Sequence, residues 1–243
     1  MRLLLLVIIS IFSNISTALT VGVEATNYAP YFHTDKEHTY QGAAREIIDL
    51  FSQSQELDLN YHPMPVPRLF NEFENGGVDL KFPDNPLWSA SLKSEVLVHY
   101  SAPVLAVRET LIIINPKNGY EHEGTENKIK MVGNILGFST PGLNENIKNN
   151  EFELVSTKKI EQLIHMLVSG RVDAIYFNAD VAIEVAKNLY PNKQLIVHPD
   201  HPAFDYAYHL SSIKHKDLIV QFDKFLISHA EQVAEIRKRY GLK

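Results

Sequence analysis

The chain has 243 residues, 45% hydrophobic and 21% charged, an ordinary globular mixture sufficient for one large domain or two small lobes. Its formal net charge of −6 argues against a nucleic-acid partner and against a polybasic membrane patch. With no cysteine there is no disulfide framework and no thiol for lipid attachment.

The opening MRLLLLVIISIFSNISTAL joins Arg2 to an apolar run and then to small polar residues, the pattern of a secretory signal peptide. Ser16-Thr17-Ala18 offers the small side chains a signal peptidase reads, so residues 1–18 are expected to be removed. The run is short for a membrane span, and no later segment approaches one. Losing Arg2 leaves a net charge of −7. An exported chain without cysteine points to the bacterial periplasm, with no membrane insertion after cleavage.

Residues 19–23 read as a strand ending at an aromatic loop, Asn27 to Phe32. Ile47, Ile48, Leu50 and Phe51 stripe a helix over residues 45–53, and residues 57–61 alternate as a strand does. Pro63, Pro65 and Pro67 are expected to punctuate a loop. Two segments 94 residues apart then follow one recipe, LFNEFENGGVDL from Leu69 and LIHMLVSGRVDAI from Leu163. Each is an apolar-striped helix, a glycine suited to the left-handed residue that ends a helix, and a Val-Asp opening an apolar strand. Helix–glycine–strand units recur in any α/β protein, but the echo predicts two α/β lobes built alike, with a cleft between them.

The first echoed strand, residues 78–82, leads to Pro83-Asp84-Asn85-Pro86-Leu87-Trp88. Residues 96–102 are extended, 107–115 form a long apolar strand, and 104–108 are expected to cross between lobes. Residues 118–127 read as a polar loop. Residues 135–139 read as a strand, followed by Thr140-Pro141-Gly142 and a helix from Leu143. Residues 152–155 and 194–197 are strands, and 179–189 a helix. His198 to Pro202 reads as the return crossing, 206–210 as extended, and 216–240 as one or two helices packing back on the first lobe.

The order of these elements and several motifs resemble the family 3 extracellular solute-binding proteins, typified by periplasmic polar amino-acid-binding proteins. The matching pieces are Tyr28-Ala-Pro-Tyr31, Gly42 with Glu46-Ile-Ile-Asp-Leu-Phe51, Gly76-Gly-Val-Asp79, Tyr100-Ser-Ala-Pro103 and Gly170-Arg-Val-Asp-Ala174. The resemblance implies a type II periplasmic-binding-protein fold: two α/β lobes, each a mostly parallel sheet flanked by helices, joined by two hinge strands. Lobe 1 would be residues 19–106 plus 203–243 and lobe 2 residues 107–202, with ligand trapped as they close. It also implies a small-molecule ligand and, as partner, a membrane transporter or a membrane-bound sensor.

Amino-acid receptors of this family carry an arginine about seven residues before the motif serine, and its guanidinium grips the ligand carboxylate. Counting back from Ser101 reaches Ser94, with Lys93 beside it. They also carry an aspartate after the lobe-two strand, where this chain has Asn178. With both charged anchors missing, a standard α-amino acid is not the expected ligand.

Candidate ligand contacts follow from position. Trp88 and Tyr31 sit in loops after strand ends, where an open α/β sheet places its ligand, and their faces suit an apolar, cationic or ring-shaped group; core packing is the alternative for each. Asp84 and Asn85 follow the first echoed strand and suit an amine or hydroxyls, or form a plain turn. Lys93 or Arg68 would replace the missing arginine; a solvated surface cation is the alternative. Thr140 and the helix start beyond Gly142 would offer free N–H donors to an anion, and Asn178 a neutral donor and acceptor. Asp79 and Asp173 are expected to fix their turns rather than touch ligand. The histidines form no HExxH, and no thiolate cluster, P-loop or nucleophile elbow is present, so no metal and no cofactor is expected; His198 and His201 come nearest to a metal grouping. The expected function is non-enzymatic solute capture. The rival is a small-acid dehydratase-like enzyme on the same fold, with Asp84 and a His or Lys as its plausible acid–base set.

Overall fold

In a computed structural model, residues 18–88, 96–116 and 129–242 are described, and all that follows concerns them. The first half begins with β1 (Leu19–Glu24), a short hairpin of β2 (His33–Thr34) and β3 (Tyr40–Gln41), and α1 (Ala43–Ser54). It continues through β4 (Leu59–Met64), α2 (Val66–Glu74) and β5 (Leu80–Asp84). Strands β4, β1 and β5 lie side by side and parallel. After β6 (His99–Tyr100), β7 (Leu105–Ile114) carries the chain into the second half.

There the pattern repeats: β8 (Met131–Ile135), a 3-10 turn (Pro141–Leu143), α3 (Asn144–Lys148), β9 (Glu153–Thr157), α4 (Ile160–Val168) and β10 (Ala174–Asn178). Strands β9, β8 and β10 are again parallel neighbours. Then come α5 (Ala179–Leu189) and β11 (Leu195–Val197). β12 (Phe204–Ser212) returns to the first half, where α6 (Lys216–Ser228) and α7 (Ala230–Arg239) finish the chain. The strand order is β4-β1-β5-β12-β7-β10-β8-β9, so antiparallel β7 and β12 join two parallel blocks. This is the two-lobed type II architecture with two hinge strands.

The echoed residues perform equivalent tasks. Gly76 and Gly170 end α2 and α4 with φ of 69° and 70°, a conformation that disfavours any side chain with a Cβ. Leu69 and Leu163 press on glycines of the first strand of each block: a Cβ on Gly22 or on Gly133 would lie 2.6 Å from the leucine Cδ1. Asp79 accepts from the Thr20 N–H at 2.8 Å and its hydroxyl at 2.7 Å, while Asp173 accepts from the Lys130 and Met131 N–H groups at 2.8 Å each. Each aspartate thereby pins the start of the neighbouring strand. Burial raises the Asp79 pKa, but hydrogen bonds from Thr20, Lys214 and His215 outweigh it and hold the carboxyl below the usual range. The last two helices pack on the first half: Phe222 meets Phe51 edge-on, and Arg239 and Tyr240 both bond Glu46.

Several expected boundaries move. Pro63 lies inside β4 rather than in a loop; β4 is the edge strand, where a residue without an N–H is tolerated. Pro67 belongs to the first turn of α2, a position that needs no N–H. The strand expected over 135–139 is β8, four residues earlier, because Gly137 has φ of 87° and turns the chain. The return crossing is β12 itself rather than His198 to Pro202: Phe204 to Tyr208 pair with β7, and His209 and Ser211 with β5. Residues 118–127 lie outside the described residues.

Candidate functional site

Parallel strands deliver their functional residues at their C-terminal ends, and here both blocks aim those ends at one cleft. β1 ends in Glu24, β5 in Asp84 and β10 in Asn178, while the turn after β8 supplies Gly137, Phe138 and Ser139. The hinge strands contribute Glu109, Tyr206 and Tyr208. Glu24, Glu109, Gly137, Phe138, Ser139, Tyr206 and Tyr208, with Val66, Phe70 and Trp88, line a narrow cavity of about 10 Å³. That is room for about one water molecule, so a larger ligand needs the two halves to part.

Aromatic rings form much of the wall. Trp88 stands edge-on to Tyr206 and Tyr208, at 5.8 and 5.5 Å between centroids. Tyr28 lies 4.8 Å from Phe177 and 6.2 Å from Phe138. These contacts join the two halves, as do the hydrogen bonds from Asn178 Nδ2 to the Tyr31 hydroxyl and from Asn27 Nδ2 to Glu161, both 3.4 Å.

Charge is concentrated at the same place. Lys81 and Asp84 are fully buried and paired at 3.0 Å. The Lys81 ammonium also donates to the Pro83 carbonyl at 2.9 Å and sits 4.1 Å from the Phe70 ring centroid. Asp84 accepts from the Ser211 hydroxyl at 2.6 Å and from the Asn85 N–H at 2.8 Å. Glu24 and Glu109 are each 3% exposed. Burial pushes Glu24 up to about 8, with Lys81 opposing the shift and Asp84 and Glu109 adding to it. Burial likewise pushes Glu109 up to about 7, against the Tyr206 and Tyr28 hydroxyls, which favour its charged form.

The sequence-selected residues divide. Trp88 lines the cleft. Tyr31 is buried near its edge, bonded to Asn178. The Asn178 side chain caps α5 by accepting from the Val181 N–H at 3.1 Å. Asp84 and Asn85 are buried beneath the cleft, Asp84 in its ion pair and Asn85 donating to the Ala207 carbonyl at 2.8 Å. Arg68 is not brought in: its side chain is 68% exposed and pairs along α2 with Glu72. Thr140 is buried, but the donors beyond it are taken, Gly142 N–H by the Tyr176 hydroxyl and Leu143 N–H by the Thr140 carbonyl. α3 is only five residues long, so the anticipated anion-binding helix start is not formed. Lys93 lies outside the described residues. Among the described residues, no group of three or more His, Cys, Asp or Glu is placed to hold a metal.

Sequence reasoning missed Glu24, Lys81, Glu109, Phe138, Tyr206 and Tyr208. Two had a signal. Strand alternation puts Glu109 on one face with buried Val107 and Leu111, and Glu24 closes a strand whose three preceding residues, Val21 to Val23, are buried.

No family profile matches the chain, and no curated protein matches it in sequence. Solved structures match its shape. A mutant of ArgBP from T. maritima superposes with a TM-score of 0.72 at 16% identity, over 92% of this chain and 94% of that one. The arginine-, lysine-, histidine-binding protein ArtJ from Geobacillus stearothermophilus gives 0.71 at 19%, over 92% and 95%. The ancestral amino acid-binding protein AncCDT-1, a precursor of cyclohexadienyl dehydratase, gives 0.70 at 17%, over 92% and 94%. The chain therefore has the fold of periplasmic amino-acid-binding proteins. Among the described residues no helix is long and apolar enough to cross a membrane.

Proposed function

We propose that the chain is a periplasmic solute-binding protein that captures a small polar molecule between its lobes and presents it to a membrane transporter, such as an ABC transporter, or to a membrane-bound sensor. The observation that carries this reading is the cleft lined from both strand blocks, with the chain passing between them along β7 and β12. Such a joint lets a ligand with differential affinity draw an open form into a closed one. The opening signal-peptide pattern supports export, with residues 1–18 removed. Residues 19–106 plus 203–243 form lobe 1 and 107–202 lobe 2 in this reading. The absent arginine and the Asn178 substitution support a ligand other than a standard α-amino acid.

Non-enzymatic capture is favoured because Asp84 is neutralised by Lys81 and is not free for acid–base work. One observation favours the second reading, a small-acid dehydratase-like enzyme: Glu109, held near neutrality, is suited to proton exchange.

A thermal-shift screen of the chain from Leu19 onward, against amino acids, polyamines, organic acids, sugars and nucleosides, tests the proposal. A ligand at about 100 times its dissociation constant stabilises by roughly 2.7 kcal/mol, or about 5–10 °C at this size. Stabilisation by one chemical class, with the ligand recovered unchanged, is expected. Conversion of the ligand supports the enzyme instead, and no shift with any class overturns capture.

A further inference from the structure

The polar lining of the cleft is electrically unbalanced. Lys81 and Asp84 pair with one another, which leaves Glu24 with only the longer-range attraction of Lys81 and Glu109 with no cation acting on it. Glu24 faces the cleft from β1, and among the described residues no hydrogen bond or ion pair reaches its side chain. Glu109 faces it from β7; the Tyr28 hydroxyl approaches Oε1 at 3.5 Å, and the Tyr206 hydroxyl acts on the carboxyl without forming a well-aligned hydrogen bond to Oε2. A buried carboxylate is costly unless it is paired or protonated; burial pushes both groups toward the neutral form here, and a positive ligand is the partner that would return them to the charged one.

The remaining lining decides which kind. Divalent hard cations take six or more oxygen ligands, whereas Phe70, Trp88, Phe138, Tyr206 and Tyr208 present mainly ring faces and edges. Rings suit an ammonium or guanidinium on an organic body. Among the described residues no lysine or arginine lines the cavity, and the N–H groups of Gly142 and Leu143 are already used. A carboxylate on the ligand would find no counter-charge among the described residues lining the cavity.

We propose that the cleft, once the two halves part, takes a small organic cation lacking a carboxylate, held between Glu24 and Glu109 and against Trp88, Phe138 and Tyr208. This rests on the cleft being the ligand site, as proposed above.

Binding of such a cation is coupled to proton release. In the free protein Glu24 titrates at about 8 and Glu109 at about 7, so both hold protons at pH 6. The groups acting on Glu24 are Lys81 and Asp84 on β5 and Glu109 on β7, with Tyr40 on β3 and Tyr208 on β12 facing it; those acting on Glu109 are Tyr28, before β2, Tyr206 and Tyr208 on β12 and Tyr176 on β10. A bound cation favours both carboxylates, expels their protons and makes affinity rise with pH.

Isothermal calorimetry at pH 6 and pH 8, in phosphate and in Tris, tests this with agmatine, putrescine and choline as cationic probes. The controls are L-arginine, succinate and glucose. At least one cationic probe is expected to bind at least tenfold more tightly at pH 8 than at pH 6, with buffer-dependent heat that reports proton release. Glu24→Gln and Glu109→Gln should each cut its affinity at least tenfold. Glu24→Gln should also raise the Tm of the free protein at pH 8, which loss of a merely structural contact would not do. Should that variant fail to fold, the pH dependence and released protons of the unaltered protein decide the matter. Tighter binding of L-arginine, succinate or glucose than of any cationic probe, or cation affinity independent of pH, overturns the assignment and leaves solute capture standing. No binding by any of the six overturns the cation assignment, and the wider thermal-shift panel then decides whether solute capture stands.

Discussion

In the first half, β1 and β5 end in Glu24 and Asp84, with Lys81 buried between them in β5; in the second, β8 and β10 end in Ile135 and Asn178. The far ends of the same strands are nearly interchangeable. Gly22 under Leu69 answers Gly133 under Leu163, and the Asp79 clamp on β1 answers the Asp173 clamp on β8. One supersecondary unit thus serves twice as scaffold, while buried charge, among the described residues, is confined to the first copy and to Glu109 on the hinge. Fold and ligand chemistry are carried by different residues at opposite ends of the strands.

The largest test of that contrast is Asp84→Asn against Asn178→Ala. The first strands the Lys81 ammonium in the interior and should cost about 3–5 kcal/mol of unfolding free energy. The second removes a helix cap and should cost about 1 kcal/mol. Equal losses in urea titrations would erase the distinction between a charged and a neutral strand end. A smaller effect sharpens the other half of the comparison. Gly22→Ala and Gly133→Ala both force a methyl group against a leucine and should each cost about 1–3 kcal/mol, matching within about 1 kcal/mol. A much smaller loss in one would show that its helix can give way, and that the two frames are not equivalent.

The scaffold was legible because its signals are local. Gly76 and Gly170, the apolar stripes before them and the Val-Asp pairs after them can each be read within a dozen residues. The glycines do take left-handed backbone, and the aspartates do pin neighbouring strands. Gly137 broke an expected strand because a positive φ cannot be told from an ordinary strand glycine by pattern alone. Pro63 remained in a strand because edge position is a tertiary property. The cleft was harder to read. Asp84 was selected from its place after a strand, but its partner Lys81 looked like a single polar interruption of β5. Glu24 and Glu109 lie 85 positions apart, and only the crossing of β7 and β12 brings them to one cavity. Arg68 carried the right charge in the right loop, yet the first turn of α2 points it outward to Glu72.

The most direct measurement uses Trp88, the only tryptophan in the chain and part of the cleft wall. Its emission should change saturably on titration with whichever of agmatine, putrescine, choline or L-arginine binds, with the same midpoint as the calorimetric heat. Heat of binding with no change in Trp88 emission would place the ligand elsewhere and contradict capture in the cleft between the lobes.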